Sequence, residues 1–143
     1  MRSQLIQKLD TQVGADVSAR RCVEVFLAGG TITSGDWVAF DTTKTNSDRV
    51  LYVIQAANVA LGNTLVVGVA LESTTVGLPV RVCVEGYVEG ANVASAVTSG
   101  EMIVVDTTAG RGHAAATGDL SICGVALENA ASNTCDVWVI RRV

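Results

Sequence analysis

Ser34–Thr43 reads SGDWVAFDTT, and Ser99–Thr108 reads SGEMIVVDTT. Gly68–Glu72 reads GVALE, and Gly124–Glu128 reads GVALE again. The first pair is offset by 65 residues and the second by 56, so the second copy keeps the order of parts with a connection nine residues shorter. Each segment is a short apolar run bounded by Gly, Asp, Thr or Ser, the pattern of strands and turns. Self-similarity on this scale marks a duplicated supersecondary unit. One half alone leaves unpaired strand edges and an exposed apolar face, whereas two halves cover each other. The copies are predicted at about residues 31–88 and 96–143.

Outward from these segments the β pattern continues. Cys22–Leu27 (CVEVFL) reads as a strand ended by Ala28-Gly29-Gly30. Gly35-Asp36 is a turn dipeptide, Trp37–Phe40 a short apolar strand, and the stretch from Asp41 to Asp48 a polar loop. Val50–Ala57 and Leu65–Leu71 read as strands, the second with Gly68 inside it, which signals a bend or a close backbone approach. In Val80–Val88, Val80, Val82 and Val84 face one way and Arg81, Cys83 and Glu85 the other, with Pro79 at the start where a missing donor costs least. Met102–Asp106 is a strand, Ala109–Gly118 (AGRGHAAATG) reads as flexible loop, and Leu120–Leu127 is a strand carrying Gly124. In Cys135–Arg141, Val137 and Val139 oppose Trp138 and Ile140. Both faces of that last strand are apolar, so cover on both sides is expected, one of them a subunit interface.

Residues 1–21 differ from the rest. Leu5, Leu9, Val13 and Val17 fall four apart, a helical stripe interrupted by Gly14. Two readings stand side by side: a short amphipathic helix capping the barrel, or an arm that orders on a neighbouring molecule. The predicted fold class is therefore all-β, a barrel or sandwich built from two related β units over residues 22–143, with an N-terminal arm or short helix over 1–21. Leu5, Leu9 and Val13, with Trp138 and Ile140, are the predicted interface residues.

The chain has 143 residues, 49% apolar but only 4% aromatic and 17% charged, with a net charge of −4. So few charges imply a surface of Thr, Ser, Asn and Gly, or one covered by partners. The negative balance and the scattered Lys and Arg argue against direct nucleic-acid binding, which needs cations on phosphates. No run of about 18 apolar residues exists to span a membrane. MRSQLIQKLD breaks its apolar run with Gln and Lys, so no signal peptide is expected and synthesis in a reducing cytoplasm is. Cys22, Cys83, Cys123 and Cys135 form no C-x-x-C pair and are expected as free thiols.

Catalytic readings find little to hold. His113 is the only histidine and lies in an Ala/Gly-rich segment with nothing to orient a ring. A histidine-based zinc site lacks further nitrogen or sulfur ligands nearby. Asp41 and Asp106 sit at matching positions, each before Thr-Thr, and an acid–base dyad is conceivable. Asp before Thr at a strand end is more often a turn-former bonding its own backbone. Glu72 and Glu128 are a second matched pair, read as solvent-facing or interface groups. Asp41–Asp48 lacks the order of a calcium loop, and Gly110-Arg111-Gly112 falls short of a phosphate cradle. The few aromatics suit packing better than base stacking, with Trp138 a candidate partner anchor. No cofactor and no metal are expected.

The order SGDWVAFD … VVGVALE … VRVCVEGYV, then SGEMIVVD … ICGVALE … DVWVI, resembles the small β-rich capsid decoration, cement or head-stabilising proteins of tailed bacteriophages. The likeness covers about Val25 to Val143 and leaves the first twenty or so residues unmatched. It implies a virion protein made in the host cytoplasm and placed on the capsid exterior. It implies a homotrimer that bridges major capsid protein subunits, with no family active site to carry over. Rival expectations are a tail, fibre or baseplate component that touches a host surface, and an enzyme using the carboxylates.

Overall fold

The computed structural model describes residues 20–57 and 65–142. Of the predicted arm or helix over 1–21, residues 1–19, with Leu5, Leu9 and Val13, lie outside the described residues, and Arg21 already opens a strand. Among the described residues nine strands follow in chain order: β1 (Arg21–Ala28), β2 (Trp37–Phe40), β3 (Tyr52–Gln55), β4 (Val66–Ala70), β5 (Pro79–Asn92), β6 (Met102–Val105), β7 (Gly112–Ala114), β8 (Gly124–Ala126) and β9 (Thr134–Val139). The protein is all-β, with a 3-10 turn at Asn46–Val50 between β2 and β3.

The strands hydrogen-bond in the order β1-β3-β2-β4-β5-β9-β8-β6-β7, and β1 also pairs with β5. That extra pairing closes β1, β3, β2, β4 and β5 into a five-stranded barrel, which leaves those strands no free edge. The second half repeats the circuit. β6 pairs with β7 and β8, and β8 with β9, as β2 pairs with β3 and β4, and β4 with β5. The second half of β5 pairs antiparallel with β9, as β1 does with the first half of β5. A parallel bridge from Val93 to Gly112 then joins the two ends of this second ring, the counterpart of the parallel β1–β3 contact. β5 is thus shared: its first half completes one ring and its second half begins the next. At Gly86 it is flanked by Arg21 on one side and Val139 on the other.

The duplication extends to single hydrogen bonds. Gly35 N–H donates to Ala70 O and Gly100 N–H to Ala126 O, both at 2.8 Å. Leu71 N–H donates to Arg81 O at 2.9 Å, and Leu127 N–H to Asp136 O at 2.8 Å. The turn carboxylates match too: Asp36 accepts from Thr33 N–H at 2.9 Å and Glu101 from Thr98 N–H at 2.8 Å. Gly68 and Gly124 occupy equivalent places where strands cross closely. A Cβ at Gly68 would lie 1.9 Å from the Cys83 carbonyl oxygen, and one at Gly124 would lie 2.9 Å from that of Trp138. Neither position has room for a side chain.

Two cores result. Val38, Val53, Val67, Val80, Val82 and Val84 fill the first ring. Ile103, Val105, Cys123, Ala126, Val137 and Val139 belong to the second, and Trp37, Ala39, Val66, Val69 and Cys83 join it from the outer face of the first. Strand alternation explains the split: residues facing outward from β2, β4 and β5 meet the second ring instead of water. Hence Cys83 is buried while Arg81 and Glu85, on the same side of β5, are exposed.

Most strand ends differ from the sequence reading by a residue or two, and the larger differences fall at β7, β3, β5 and β8. Ala109–Gly118 contains strand β7, Gly-His-Ala, which pairs with β6 through Ile103↔Ala114 and Val105↔Gly112. Its residues have no intrinsic strand preference, and the pairing comes from ring closure. β3 starts at Tyr52 because the 3-10 turn takes up Val50. β5 runs on to Asn92 through Gly86 and Gly90, whose positive φ absorbs its turn from one ring into the other. β8 is only Gly124–Ala126, short of the predicted Leu120–Leu127.

Candidate functional site

The groups capable of chemistry are spent on turns and strand ends. Asp41 Oδ1 accepts from Thr43 N–H at 3.1 Å and Thr43 Oγ1 at 2.6 Å. Asp106 Oδ1 accepts from Thr107 N–H at 2.6 Å and Thr107 Oγ1 at 3.2 Å, and Oδ2 accepts from Arg111 Nε at 2.6 Å. Both carboxylates thus fix the Asp-Thr-Thr turn that follows β2 or β6. Burial alone raises the Asp106 pKa, but the bonds from Arg111 and Thr107 and the guanidinium charge more than offset it and hold the carboxyl below its ordinary value. Glu72 and Glu128 also share a role: each Oε1 accepts a backbone N–H of the adjoining strand, Arg81 or Asp136, at 3.0 Å. Glu72 Oε2 adds an ion pair to Arg81 at 3.3 Å.

His113 lies on β7, its Nδ1 buried and 4.0 Å from Asp106 Oδ1, too far for a hydrogen bond. Among the described residues neither a nucleophile nor a carboxylate dyad is assembled around it. Among them, too, no three His, Cys, Asp or Glu side chains gather as a metal site. Nor is any described helix long and apolar enough to cross a membrane. The four cysteines are free, with Cys22 exposed and the others buried. Desolvation pushes Cys123 to about 12 and Cys135 to about 11, and raises Cys83. These buried thiols are weak nucleophiles.

What the structure builds is a joint and a set of surfaces. At the joint Trp37 is fully buried. Its Nε1 donates to Asn92 O at 3.1 Å. Its ring lies against Gly112 and Gly124 of the second ring, where an added Cβ would come within 2.9 and 2.8 Å of the indole. Gly110 is inserted beside it: Trp37 N–H donates to Gly110 O at 2.9 Å, and Gly110 N–H to Ala56 O at 2.8 Å. Asp36, only 3% exposed, accepts from Gln55 Nε2 at 2.6 Å and Asn92 Nδ2 at 3.3 Å, so its charge is satisfied by donors from both rings. Sequence reasoning assigned Trp37 to general core packing and missed the joint. The available signal was the lone Trp facing Met102 in the duplicated segment.

Of the predicted interface residues, Trp138 and Ile140 fall in the described part. Trp138 is partly exposed on the outer face of β9, with the Arg20 guanidinium 5.9 Å from its ring centroid. It borders an open depression with Arg20, Arg21, Cys22, Glu85 and Gly86. Ile140 is 39% exposed just beyond β9. Other large apolar side chains reach water at Val25 (66%), Val76 (64%), Met102 (57%) and Leu120 (78%). On the same outer face as Trp138, its cross-strand partner Tyr87 donates from Oη to Asp136 Oδ2 at 2.7 Å, a bond that pushes the phenol to about 12.

Comparison with known proteins bears on the family and the fold. The family model described as phage cement protein matches residues 47–141. Among solved structures, the N-terminal base of the head fibre protein gp8.5 of bacteriophage phi29 superposes with a TM-score of 0.57 at 14% identity, covering 85% of this chain and 94% of that one. At that identity the likeness concerns the fold. No curated protein matches the chain.

Proposed function

Because the chain belongs to the phage cement protein family, we propose that it binds the outside of the phage head as a homotrimer and stabilises the shell by bridging major capsid protein subunits, without enzymatic activity. The observation that carries this reading is the fold itself: a closed five-stranded barrel sharing one strand with a second ring joined by a single bridge, with Asp41 and Asp106 committed to turns. Such a block resists deformation and offers broad neutral surfaces. Each contact with the shell is then weak, and many copies on one particle make detachment of the layer improbable. Trp138, partly exposed on the last strand, and Ile140, exposed just beyond it, are the proposed contacts, together with Leu5, Leu9 and Val13. The deciding experiment compares purified heads with and without the protein. Heads that carry it retain their DNA to higher temperature, and equal release from both removes the cement role.

A second reading draws on the likeness to the base of the phi29 head fibre. In it the block is a mount for a host-directed structure. Gold labelling of intact particles separates the readings from a tail or baseplate location. An enzymatic reading predicts that Asp41→Asn or Asp106→Asn abolishes a turnover. A structural reading predicts altered stability alone.

A further inference from the structure

Tyr87, Trp138 and Val125 stand side by side on the outer face of β5, β9 and β8, with Trp138 the cross-strand partner of both others. Alternation puts Ile140 and Leu127 on the same face, one toward each end. Leu127 is 46% and Ile140 39% exposed, and the three in the row are partly exposed. The outward row of the first ring, Trp37, Val69 and Cys83, is sealed beneath the second ring. Among the described residues no further ring follows to seal this one. What reaches it is the start of the described chain. The Arg20 guanidinium lies over Trp138, 5.9 Å from its ring centroid, and Arg20, Arg21 and Gly86 border the depression beside it. A Cβ on Gly86 would strike the Arg20 carbonyl oxygen, so the backbone enters the fold directly at the edge of this face.

We propose that residues 5–17 of the same chain form an amphipathic helix that lies along β9 and covers this face. The point of entry selects the occupant. Only Ser18 and Ala19 separate Val17 from Arg20, so the segment is delivered beside Trp138. A tether that short keeps it at high effective concentration there. Its dimensions match. Leu5 to Val17 spans about 18 Å as a helix, and Asp136 to Ile140 on the outer face of β9 spans about 14 Å. A helix about 10 Å wide covers two strand spacings of about 4.8 Å, which takes in Tyr87, Trp138 and Val125. Met102, one strand further, stays at the margin in water. The chemistry matches as well. Leu5, Leu9, Val13 and Val17 fall four apart and share one helix face. A segment so short, with Gly14 inside it, does not hold a helix in water alone, so its helicity depends on an apolar face to lie on. In the free chain, the residues proposed above as shell contacts therefore cover one another, and a head displaces the helix to reach them. That displacement rests on the capsid reading, whereas the cover within the chain does not.

The experiment uses the full chain in the absence of heads. Leu9→Cys and Leu127→Cys are combined with Cys22→Ser, and a short bismaleimide is added across a protein concentration series. Crosslinks within one chain are expected, at a yield that does not change with concentration. Leu9→Cys combined with Val25→Cys, whose second site is 66% exposed on the first ring, should give none within a chain. Leu9→Asp with Val13→Asp should keep the strands, lose the helical ellipticity and open Trp138 to acrylamide quenching while Trp37 stays sealed. The proposal is overturned if crosslinks join different chains only, if the Val25 pair reacts equally within a chain, or if Trp138 is quenched as freely in wild type as in the double variant. Head protection is scored separately. A chain that crosslinks to itself but never protects heads removes the cement reading and leaves this cover standing. Protection of heads by a chain that never crosslinks to itself does the reverse.

Discussion

Trp37 and Met102 hold the same place in the two halves, yet one is sealed and the other meets water. Their truncation must therefore cost differently. Trp37→Ala removes a fully buried indole and its bond to Asn92, so a loss of about 3–5 kcal/mol is expected from chemical denaturation. Met102→Ala is expected to stay within about 0.5 kcal/mol, as for exposed positions in general. Equal losses would mean that the joint is not packed as described. Tyr87 offers a spectroscopic check at the same scale. Its hydroxyl bond to Asp136 favours the protonated phenol, so ultraviolet titration of the native protein should find one tyrosine ionising near 12. Asp136→Asn should bring it back toward 10, the ordinary phenol value. A raised pKa stabilises the fold fully below the ordinary value, and that stabilisation fades as pH climbs through the folded one.

Single strands carry their own tests. β4 is buried along its whole length, whereas the outer face of β9 is only half-buried at Asp136 and Trp138, short of the cover on both sides expected from its sequence; three of the four cysteines sit in β5 or β9 or next to β8. A thiol reagent should modify Cys22 quickly in the native protein and reach Cys83, Cys123 and Cys135 only on unfolding. Rapid reaction of all four would show that the rings open readily. The turn after β6 makes an acid prediction. Because the Asp106 pKa is lowered, its contribution to stability is present above the ordinary carboxylate value and is lost as pH falls through the folded one. Melting temperature should therefore drop less steeply with acid in Asp106→Asn than in wild type, and an unchanged acid limb would contradict the Arg111 pairing. Elements with a strong local pattern were legible from sequence: Trp37–Phe40 has the predicted bounds, and the inward Val80, Val82 and Val84 are buried as expected. β7 was not, since Gly-His-Ala becomes a strand only through β6 and Val93, contacts that no local pattern encodes. The joint was hidden for the same reason. Alternation shows which residues share a face, but which face meets another ring depends on the shared strand.

That shared strand governs the molecule as a whole. In a chain of two separate barrels, each half would melt on its own. Here β5 closes the first ring and opens the second, and Trp37 belongs to the core of the ring it does not help to form. Unfolding the second ring would uncover Trp37, Val69 and Cys83 on the first and remove the partner of half of β5. Unfolding the first would leave the second without the indole that fills it beside Gly112 and Gly124. Neither half is then a stable product, and the chain should unfold in a single cooperative step. The measurement is a denaturant titration followed both by tryptophan fluorescence, which reports the joint through Trp37, and by far-ultraviolet dichroism, which reports the strands. Coincident curves are expected, with Gly112→Val shifting both midpoints together because its side chain would collide with the Trp37 ring. Curves that separate, or a variant that moves the fluorescence midpoint alone, would show the rings to be independent, and the rigid block on which the capsid reading depends would dissolve into two loosely tethered parts.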